Sequence, residues 1–463
     1  MKIKSNLIDQ IVPSISELRA LFNGRVIAPD DPRYEQARTV FYGGIDCHPA
    51  AIVRVADAGD VSRLVSVARE AGIELAIRSG GHSNAGHSTT EGGIVLDLSA
   101  MKDLQINVQD KTAWAEAGLT AGEYVVQTAA YGLTTGFGDT GTVGLGGITL
   151  GGGVGYLVRK HGLTIDNLLA AEIVTADAQL LHVDDQNHPD LFWAIRGGGG
   201  NFGVATRFKF HLHELDKVLG GMLCLPATAD TIASFIAEAE SAPNELSTIL
   251  NIMTAPPMPF LPADMHGKVI IMAMMVYAGD IEMGEQVISK FRSIATPYAD
   301  MIRPMTYPEM FPPEEGGDYH PVAAGRTMFI DHVTRSEAEM ILNRLQSSSA
   351  SMAVTQLRVL GGAMSRVRAD ATAFAHRNSR IMVNLAALYE NPNEKRIHEA
   401  WVTEFASALR QSDNGAYVNF LADVDEAQVR AAYPNGTWER LAAIKARYDP
   451  DNFFHLNQNI PPK

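Results

Sequence analysis

The amino-acid sequence predicts an α+β protein that contains more than one folding unit. At 463 residues the chain is too long for one ordinary hydrophobic core. Residues 50–78 carry strand, helix and strand signals in succession, which is typical of a crossover unit. After Leu215 helical and extended segments keep alternating, and this pattern favours a largely antiparallel sheet covered by helices.

The elements of the first unit follow from apolar spacing. Asp60 is placed to cap a helix whose apolar residues Val61, Leu64, Val65 and Ala68 recur at helical intervals. Apolar and polar residues alternate over 204–215, which predicts a half-buried strand. The other extended segments are 50–56, 75–78, 94–98 and 171–175.

The same patterns define the second unit. The predicted helices are 229–241, 281–293, 335–347 and 394–410. The predicted strands are 247–253, 268–277, 354–360 and 380–388. The proline-rich stretch 256–262 is expected to be a loop between two of these strands.

Composition excludes several classes of protein. The net charge is −15, and no run of lysine and arginine provides a nucleic-acid surface. Eighteen apolar residues never occur together, so no membrane span is expected. Cys47 and Cys224 cannot form a disulfide framework, and residues 1–13 lack a signal-peptide pattern. A cytoplasmic protein is therefore expected.

Glycine-rich segments indicate a bound cofactor. Residues 198–203 match Gly-x-Gly-x-x-Gly, but a helix precedes them and a strand follows, the reverse of a Rossmann site. Two glycines before His82 can instead form an anion-binding nest. Tight turns are the alternative for one such segment, but three segments favour a cofactor. The glycines concerned are Gly80, Gly81, Gly144, Gly146, Gly147, Gly151, Gly152, Gly153 and Gly155.

Longer motifs carry a family resemblance. Residues 78–83, 146–155, 162–167, 187–203, 448–454 and 459–462 resemble the berberine-bridge-enzyme branch of the vanillyl-alcohol oxidase superfamily. The resemblance implies a bimodular FAD-binding domain of the p-cresol methylhydroxylase type. Residues 1–215 form it, and the berberine-bridge-like segment 413–463 returns to it. Residues 216–412 would be an α+β substrate domain over the isoalloxazine ring.

The resemblance implies that His82 bonds to the 8α-methyl carbon of the flavin. A neutral imidazole can attack the electrophilic methide tautomer, and the link raises the flavin potential. His87 is a rival that matches no linking position. Thr140 stands where relatives have a second, cysteinyl link, so a single link is expected. The other implied FAD contacts are Arg78, Ser79, Ser83, Val143, Asn167, Ile173, Val174, Gly203, Val204, Tyr417 and Asn419.

The implied activity is that of an FAD-dependent oxidase. It would transfer hydride from a small or medium organic substrate to FAD and then electrons to O2, and Val143 is the residue implied to lie where oxygen approaches. The alternatives are a flavin dehydrogenase or monooxygenase-like catalyst that releases no peroxide, and a non-catalytic flavin-binding protein. No metal is expected, and the oligomeric state stays open.

The catalytic base does not follow from the resemblance. Carbohydrate-oxidising relatives have a tyrosine where this chain has Phe420, which cannot accept a proton. Candidates for the role are Tyr417 and His376, and Gln356 is a further candidate catalytic residue on a stretch that resembles a pocket-lining strand. Each of them could equally be a hydrogen-bonded structural residue. A substrate that loses its proton easily is therefore favoured, such as an amine, a phenol or a β-dicarbonyl compound.

Overall fold

The computed structural model describes residues 13–312, 319–422 and 426–463. The strands of the first half are β1 (Val26–Ile27), β2 (Ala51–Arg54), β3 (Leu75–Arg78), β4 (Ile94–Asp97), β5 (Leu104–Asn107), β6 (Thr112–Glu116), β7 (Leu133–Thr134), β8 (Leu168–Val174), β9 (Leu180–Val183), β10 (Val204–His211) and β11 (His213–Glu214). The helices are α1 (Ile15–Leu21), α2 (Tyr34–Arg38), α3 (Ala58–Glu70), α4 (Ala121–Ala129), α5 (Leu145–Leu150), α6 (Val158–His161) and α7 (Pro189–Ala194).

The first sheet has the strand order β1-β2-β4-β3. Strands β2 and β3 both pair in parallel with β4, as the strand–helix–strand signal predicted. Asp57 caps α3 by accepting a hydrogen bond from the backbone N–H of Asp60 at 2.8 Å. The prediction that Asp60 is the cap was wrong because Asp60 already lies in the first turn, where its carboxylate pairs with Arg25 and Arg63.

The second sheet is antiparallel, with the strand order β5-β6-β10-β8-β9. Strand β10 shows the expected alternation from Phe208 onward, where apolar side chains are buried and the others half-buried. Gly203, just before β10, has φ +151, and a Cβ there would lie 2.5 Å from the carbonyl oxygen of Val174. Only glycine allows this close approach of the two strands.

A third, antiparallel sheet follows residue 215, as predicted, in the order β15-β12-β14-β13-β18-β19-β17, with β16 also paired to β12. Its strands are β12 (Val218–Pro226), β13 (Leu246–Thr254), β14 (Val269–Tyr277), β15 (Ala299–Asp300), β16 (Arg303–Met305), β17 (Ala323–Ile330), β18 (Met352–Val359) and β19 (Ile381–Leu388). The helices are α8 (Ala229–Ser241), α9 (Ile281–Arg292), α10 (Arg335–Gln346), α11 (Ala363–Arg366), α12 (Lys395–Leu409), α13 (Glu426–Ala431) and α14 (Thr437–Tyr448). Helices α8, α9, α10 and α12 pack on the sheet, so the α+β class is confirmed.

The last residues return to the first half of the chain. Lys445 on α14 and Asp449 form a fully buried ion pair of 2.5 Å. The Lys445 ammonium also donates to the carbonyl oxygens of Asn201 and Phe454. In turn, the side chain of Asn201 accepts a hydrogen bond from the N–H of Ile460. These buried contacts fix the C-terminal segment against the glycine-rich turn at 197–203.

Two negative findings concern the described residues as a whole. None of their helices has both the length and the apolar character that crossing a bilayer requires. They also bring together no group of three or more His, Cys, Asp and Glu side chains able to hold a metal ion.

Candidate active site

A cavity of about 410 Å³ lies where three parts of the molecule meet. One wall comes from the loops that follow β3 and precede α5, and a second from β18 and β19. The C-terminal residues 454–458 close the end near β3 and β4. The two glycine-rich segments of the sequence therefore share one cavity with the large antiparallel sheet.

The two loops approach so closely that side chains are excluded between them. A Cβ on Gly80 would lie 2.2 Å from the backbone nitrogen of Gly144. A Cβ on Gly144 would lie 2.1 Å from Oγ of Ser79, which itself donates to the carbonyl oxygen of Ala117 at 2.5 Å. By contrast, a Cβ on Gly147 would meet nothing within 4 Å. Some glycines permit loop contact, and Gly147 leaves backbone open to the cavity.

Unused hydrogen-bonding groups border the same cavity. Among the described residues, the backbone N–H groups of Gly80, Gly81 and Gly147 have no acceptor. The buried Oγ of Ser88 and Oδ1 of Asn457, also on the lining, have no partner either. Buried polar atoms normally find partners, so the side-chain oxygens of Ser88 and Asn457 indicate a polar ligand. Glycine N–H groups on the lining, where no side chain blocks the approach of a ligand, fit the diphosphate of FAD.

His82 lies on the lining and is held from two sides. Its Nε2 lies 3.0 Å from Oγ1 of Thr142, and the ring of Phe41 stacks on the imidazole with 4.2 Å between centroids. Gly81 lies in the left-handed region at φ +74, and its carbonyl oxygen accepts a hydrogen bond from the N–H of Phe41. This bond joins the segment of Phe41 to the loop after β3. His87 lines the cavity as well, and burial lowers its pKa to about 4, which keeps its ring neutral.

Charged and polar groups lie at the end of the cavity that faces the large sheet. Nη2 of Arg358 on β18 lies 2.8 Å from Oδ2 of Asp139, which belongs to the opposite wall. Nε of Arg358 donates to Oε1 of Gln356, whose Nε2 donates to Oδ1 of Asn251. Burial, with the nearby Asp139 charge, raises the pKa of Tyr42 to about 12, so its phenol stays protonated.

Tyr417 is tied to the backbone of the first half. Its hydroxyl oxygen accepts hydrogen bonds from the N–H groups of Gly153 at 3.0 Å and Val154 at 3.3 Å, and from Nδ2 of Asn419 at 3.0 Å. Burial raises the pKa of Tyr417. Phe420 lines the cavity nearby, with the guanidinium of Arg358 5.3 Å from its ring centroid.

The structure brings most of the sequence-predicted site residues to this cavity. Those on the lining are Ser79, Gly80, Gly81, His82, Ser83, Thr140, Val143, Gly144, Gly146, Gly147, Gly203, Val204, Gln356, Tyr417 and Asn419. Those that are not on the lining are Arg78, Gly151, Gly152, Gly153, Gly155, Asn167, Ile173, Val174 and His376.

Some of these residues pack against residues of the lining. Nε of Arg78 donates to the carbonyl oxygen of Ser88, and the buried guanidinium has its pKa lowered by desolvation. A Cβ on Gly151 would lie 1.9 Å from Oδ1 of Asn419, and one on Gly153 would lie 2.0 Å from Oγ1 of Thr164. These glycines therefore allow close packing beneath the cavity rather than contact within it.

His376 is not brought to the cavity. Its Nε2 lies 3.1 Å from the carbonyl oxygen of Ala432, and its ring stacks on Phe329. Burial lowers the pKa of His376, although the Asp413 carboxylate opposes that shift. The ring is buried and not on the lining, so His376 is not placed to take a proton from a ligand in the cavity.

Sequence reasoning missed many residues of the lining, among them Phe41, Tyr42, Asp139, Arg358 and Asn384. Asp139 directly precedes Thr140, so its position beside a cofactor-binding loop was available as a signal. Arg358 is two residues from Gln356 on a strand, and side chains at that spacing share a face. For Phe41, Tyr42 and Asn384 the sequence carries no comparable signal.

Comparison with known families agrees with this geometry. Residues 49–184 match the FAD binding domain model, and residues 416–461 match the model described as berberine and berberine like. The first match contains both loops of the cavity, and the second contains Tyr417 and the C-terminal wall. Two separate parts of the chain that meet in space thus match two models.

Full-length relatives give the same result. The FAD-linked oxidoreductase YgaK of Bacillus subtilis is 31% identical over 95% of this chain and 97% of its own length. The (R)-6-hydroxynicotine oxidase of Paenarthrobacter nicotinovorans is 30% identical over the same shares, 95% and 97%. Among solved structures, a 6-hydroxy-D-nicotine oxidase of Arthrobacter nicotinovorans aligns with TM-score 0.84 and 28% identity, covering 95% of this chain and 98% of that one.

Proposed function

The chain belongs to the FAD-linked oxidoreductases with a berberine-like C-terminal segment, and on that premise we propose that it is an oxidase with FAD linked covalently to His82. The substrate is a small organic molecule, and the electron acceptor is O2. The observation that carries the proposal is the position of His82, held between Thr142 and Phe41 in a cavity bordered by glycine backbone.

The chain's own groups have distinct roles in this proposal. The N–H groups of Gly80, Gly81 and Gly147 bind the diphosphate, and residues 454–458 enclose the other end of the cofactor. Thr142 and Phe41 orient the imidazole for attachment. FAD supplies the two-electron chemistry, taking a hydride equivalent from the substrate and passing the electrons to O2. Residues 1–215 with 413–463 hold the cofactor, and 216–412 bind substrate.

The link to His82 is single in this proposal. Thr140, at the position of the second link in relatives, carries a hydroxyl group, which is a far weaker nucleophile than a thiolate. Cys224 is fully buried in β12, and burial raises its thiol pKa to about 11. Cys47 does not line the cavity, and burial raises its pKa as well.

Mass spectrometry of the purified protein tests the attachment. The denatured protein is expected to carry one FAD per chain, and His82→Ala is expected to lose it. His87→Ala is the matched control and is expected to keep it. Trypsin cannot separate the two histidines, because no lysine or arginine lies between Arg78 and Lys102. Fragmentation of that flavin peptide must therefore place the mass on His82, and its placement on His87 would refute the assignment.

Anaerobic reduction distinguishes the alternatives. A panel of amines, alcohols and phenols is added without oxygen, and the flavin absorbance is followed. Bleaching followed by peroxide release in air is the expected result for an oxidase. Bleaching without peroxide would favour a dehydrogenase or monooxygenase-like catalyst, and no bleaching by any compound would favour a flavin-binding protein.

A further inference from the structure

The ion pair between Asp139 and Arg358 lies across the cavity rather than within one wall. Asp139 lies in the loop between β7 and α5, and Arg358 lies on β18 of the large sheet. The Arg358 side chain is 5% exposed and that of Asp139 is 25% exposed, so the carboxylate is the open partner. Among the described residues on the lining, Asp139 is the one carboxylate.

The two oxygens of Asp139 have different surroundings. Oδ2 accepts from Nη2 of Arg358 at 2.8 Å, whereas Oδ1 has no hydrogen-bond partner in the described part of the chain. An ionised carboxylate can accept about four hydrogen bonds, so most of this capacity is unused. A partly exposed, half-satisfied carboxylate on a ligand cavity is suited to receive a donor from the ligand.

Arg358 is itself held in a fixed position. Its Nε donates to Gln356, which donates to Asn251, and Nδ2 of Asn251 donates to the carbonyl oxygen of Met272. Its Nη1 donates to the carbonyl oxygen of Val154 at 3.3 Å. The guanidinium therefore has acceptors of its own on β18 and the loop after α5, and it presents one N–H to Asp139. This network fixes the carboxylate without using its second oxygen.

Asp139 is also near the proposed attachment point. It is three residues from Thr142, whose hydroxyl group contacts His82. Asp139 also lies near Tyr42. Tyr42 follows Phe41, which stacks on His82. A substrate between the large sheet and His82 would occupy the cavity that Asp139 and His82 both line. Phe420, at the position of the tyrosine of relatives, offers no oxygen there.

We propose that Asp139 binds the N–H or O–H donor of the substrate and accepts its proton during oxidation, with Arg358 as a positioning residue. The substrate class is an amine or alcohol with hydrogen on the carbon that bears the donor. The donor's N–H or O–H bond breaks, and its proton moves to Oδ1 of Asp139. The C–H hydrogen leaves with its electron pair to FAD, and a C=N or C=O bond forms. This step rests on the proposed function.

Two measurements test the proposal on the FAD-loaded protein. In the first, benzylamine and benzyl alcohol are titrated against wild type and Asp139→Asn by calorimetry. At least a tenfold weaker binding of both compounds to the variant is expected. Asp370→Asn is the matched control, because it removes the carboxylate of an exposed arginine pair with Arg368. Equal affinities in wild type and variant, or no binding to either protein, would overturn the proposal.

The second measurement uses the compound that bleaches the wild-type flavin fastest. Asp139→Asn is expected to slow anaerobic reduction by roughly a hundred- to ten-thousand-fold, with the FAD content and flavin spectrum unchanged. The variant is also expected to lose the acid limb of the pH profile, that is, the fall in the rate of flavin reduction at low pH. If the compound bleaches the flavin of the wild type and of the variant equally fast, the role of Asp139 is refuted but the proposed function is not. If the wild type carries no FAD, the proposed function itself is refuted.

Further variants distinguish two roles of Asp139, that of a proton acceptor and that of a purely structural partner of Arg358. Asp139→Asn leaves the buried guanidinium of Arg358 without a counter-charge. The double variant Asp139→Asn, Arg358→Gln removes that unpaired charge. This double variant is expected to fold and to reduce as slowly as Asp139→Asn. Arg358→Lys is expected to keep the acid limb but shift its midpoint. Fast reduction by the folded double variant would contradict the assignment.

Discussion

Nε2 of His82 lies 3.0 Å from Oγ1 of Thr142, in a ring that stacks on Phe41 at 4.2 Å. The contact joins the loop after β3 to the loop before α5, the two glycine-rich segments that stand far apart in sequence. A hydrogen bond at one ring nitrogen fixes the tautomer and the orientation of an imidazole. Covalent attachment of FAD should therefore depend on Thr142 as well as on His82.

Thr142→Val is expected to slow flavin attachment. The variant keeps the shape of the side chain but loses a hydrogen bond that contributes about 1 kcal/mol. The fraction of FAD that stays with acid-precipitated protein should fall at early times after FAD is added to apoprotein. Thr140→Val, which changes a neighbouring threonine on the lining, is the control. Identical attachment rates in wild type and Thr142→Val would show that this contact does not orient the ring.

Val143→Leu is expected to slow reoxidation of the reduced enzyme by air and to leave reduction by substrate unchanged. Val143 lies on the cavity lining, and a leucine adds one methylene group where oxygen approaches the flavin in the proposed mode. Stopped-flow absorbance separates the two half-reactions. Val126→Leu is the control because Val126 is 60% exposed on α4. A wild type that stays reduced in air would rule out the oxidase reading.

The fold was largely predictable because apolar spacing reports burial directly. Predicted strand 380–388 and helix 229–241 agree with β19 and α8 to within one residue. The site was predictable where glycine excludes side chains, as at Gly80 and Gly144. Asp139 and Arg358 were missed because a long-range ion pair depends on which strands lie together, and no local pattern records that.

Removing one partner of the Lys445–Asp449 pair should strongly destabilise the protein. Both side chains are fully buried, and all three ammonium hydrogen bonds are made. Lys445→Met leaves a buried carboxylate unpaired, which costs about 3–5 kcal/mol. Urea unfolding followed by circular dichroism measures the loss. The exposed pair Lys395–Glu399 has the same spacing, and Lys395→Met should cost less than about 1 kcal/mol.

Stability should fall in mild acid because two stacked histidines are neutral when folded. Burial lowers the pKa of His161 from 6.5 to about 3 and that of His213 to about 4. The charges of Lys160 and His211 lower the pKa of both rings further, and His213, which stacks on His161, also lowers the pKa of His161. Below pH 6.5 the unfolded chain binds protons that the folded chain does not. The stabilisation present above pH 6.5 is therefore lost progressively as the pH falls towards 4.

Urea unfolding at pH 7.5 and pH 5 measures this dependence. The variant with His161→Asn and His213→Asn should lose part of the difference between the two pH values. His48→Asn is the control because the side chain of His48 is 51% exposed. A difference that is unchanged in the double variant would exclude these two histidines as the cause.

Tyr417→Phe tests whether this tyrosine is structural or catalytic. Its hydroxyl oxygen accepts from the N–H groups of Gly153 and Val154, which hold the turn beneath the cavity. Losing the hydroxyl leaves these buried donors without an acceptor, which costs about 1–3 kcal/mol. Tyr124→Phe is the control. Among the described residues its hydroxyl group hydrogen-bonds to Oγ1 of Thr135 alone, and Thr135 also donates to the carbonyl oxygen of His211 and keeps that bond.

Urea unfolding and anaerobic flavin reduction, measured on the same preparations, give opposite results for the two roles. A structural Tyr417 predicts that the variant unfolds at lower urea and keeps the pH profile of flavin reduction, with a change in rate of less than about tenfold. A catalytic base predicts the reverse, unchanged stability with a loss of roughly a hundredfold or more. The three N–H groups that already point at the hydroxyl oxygen favour the first result, because they occupy the lone pairs that a substrate proton would need.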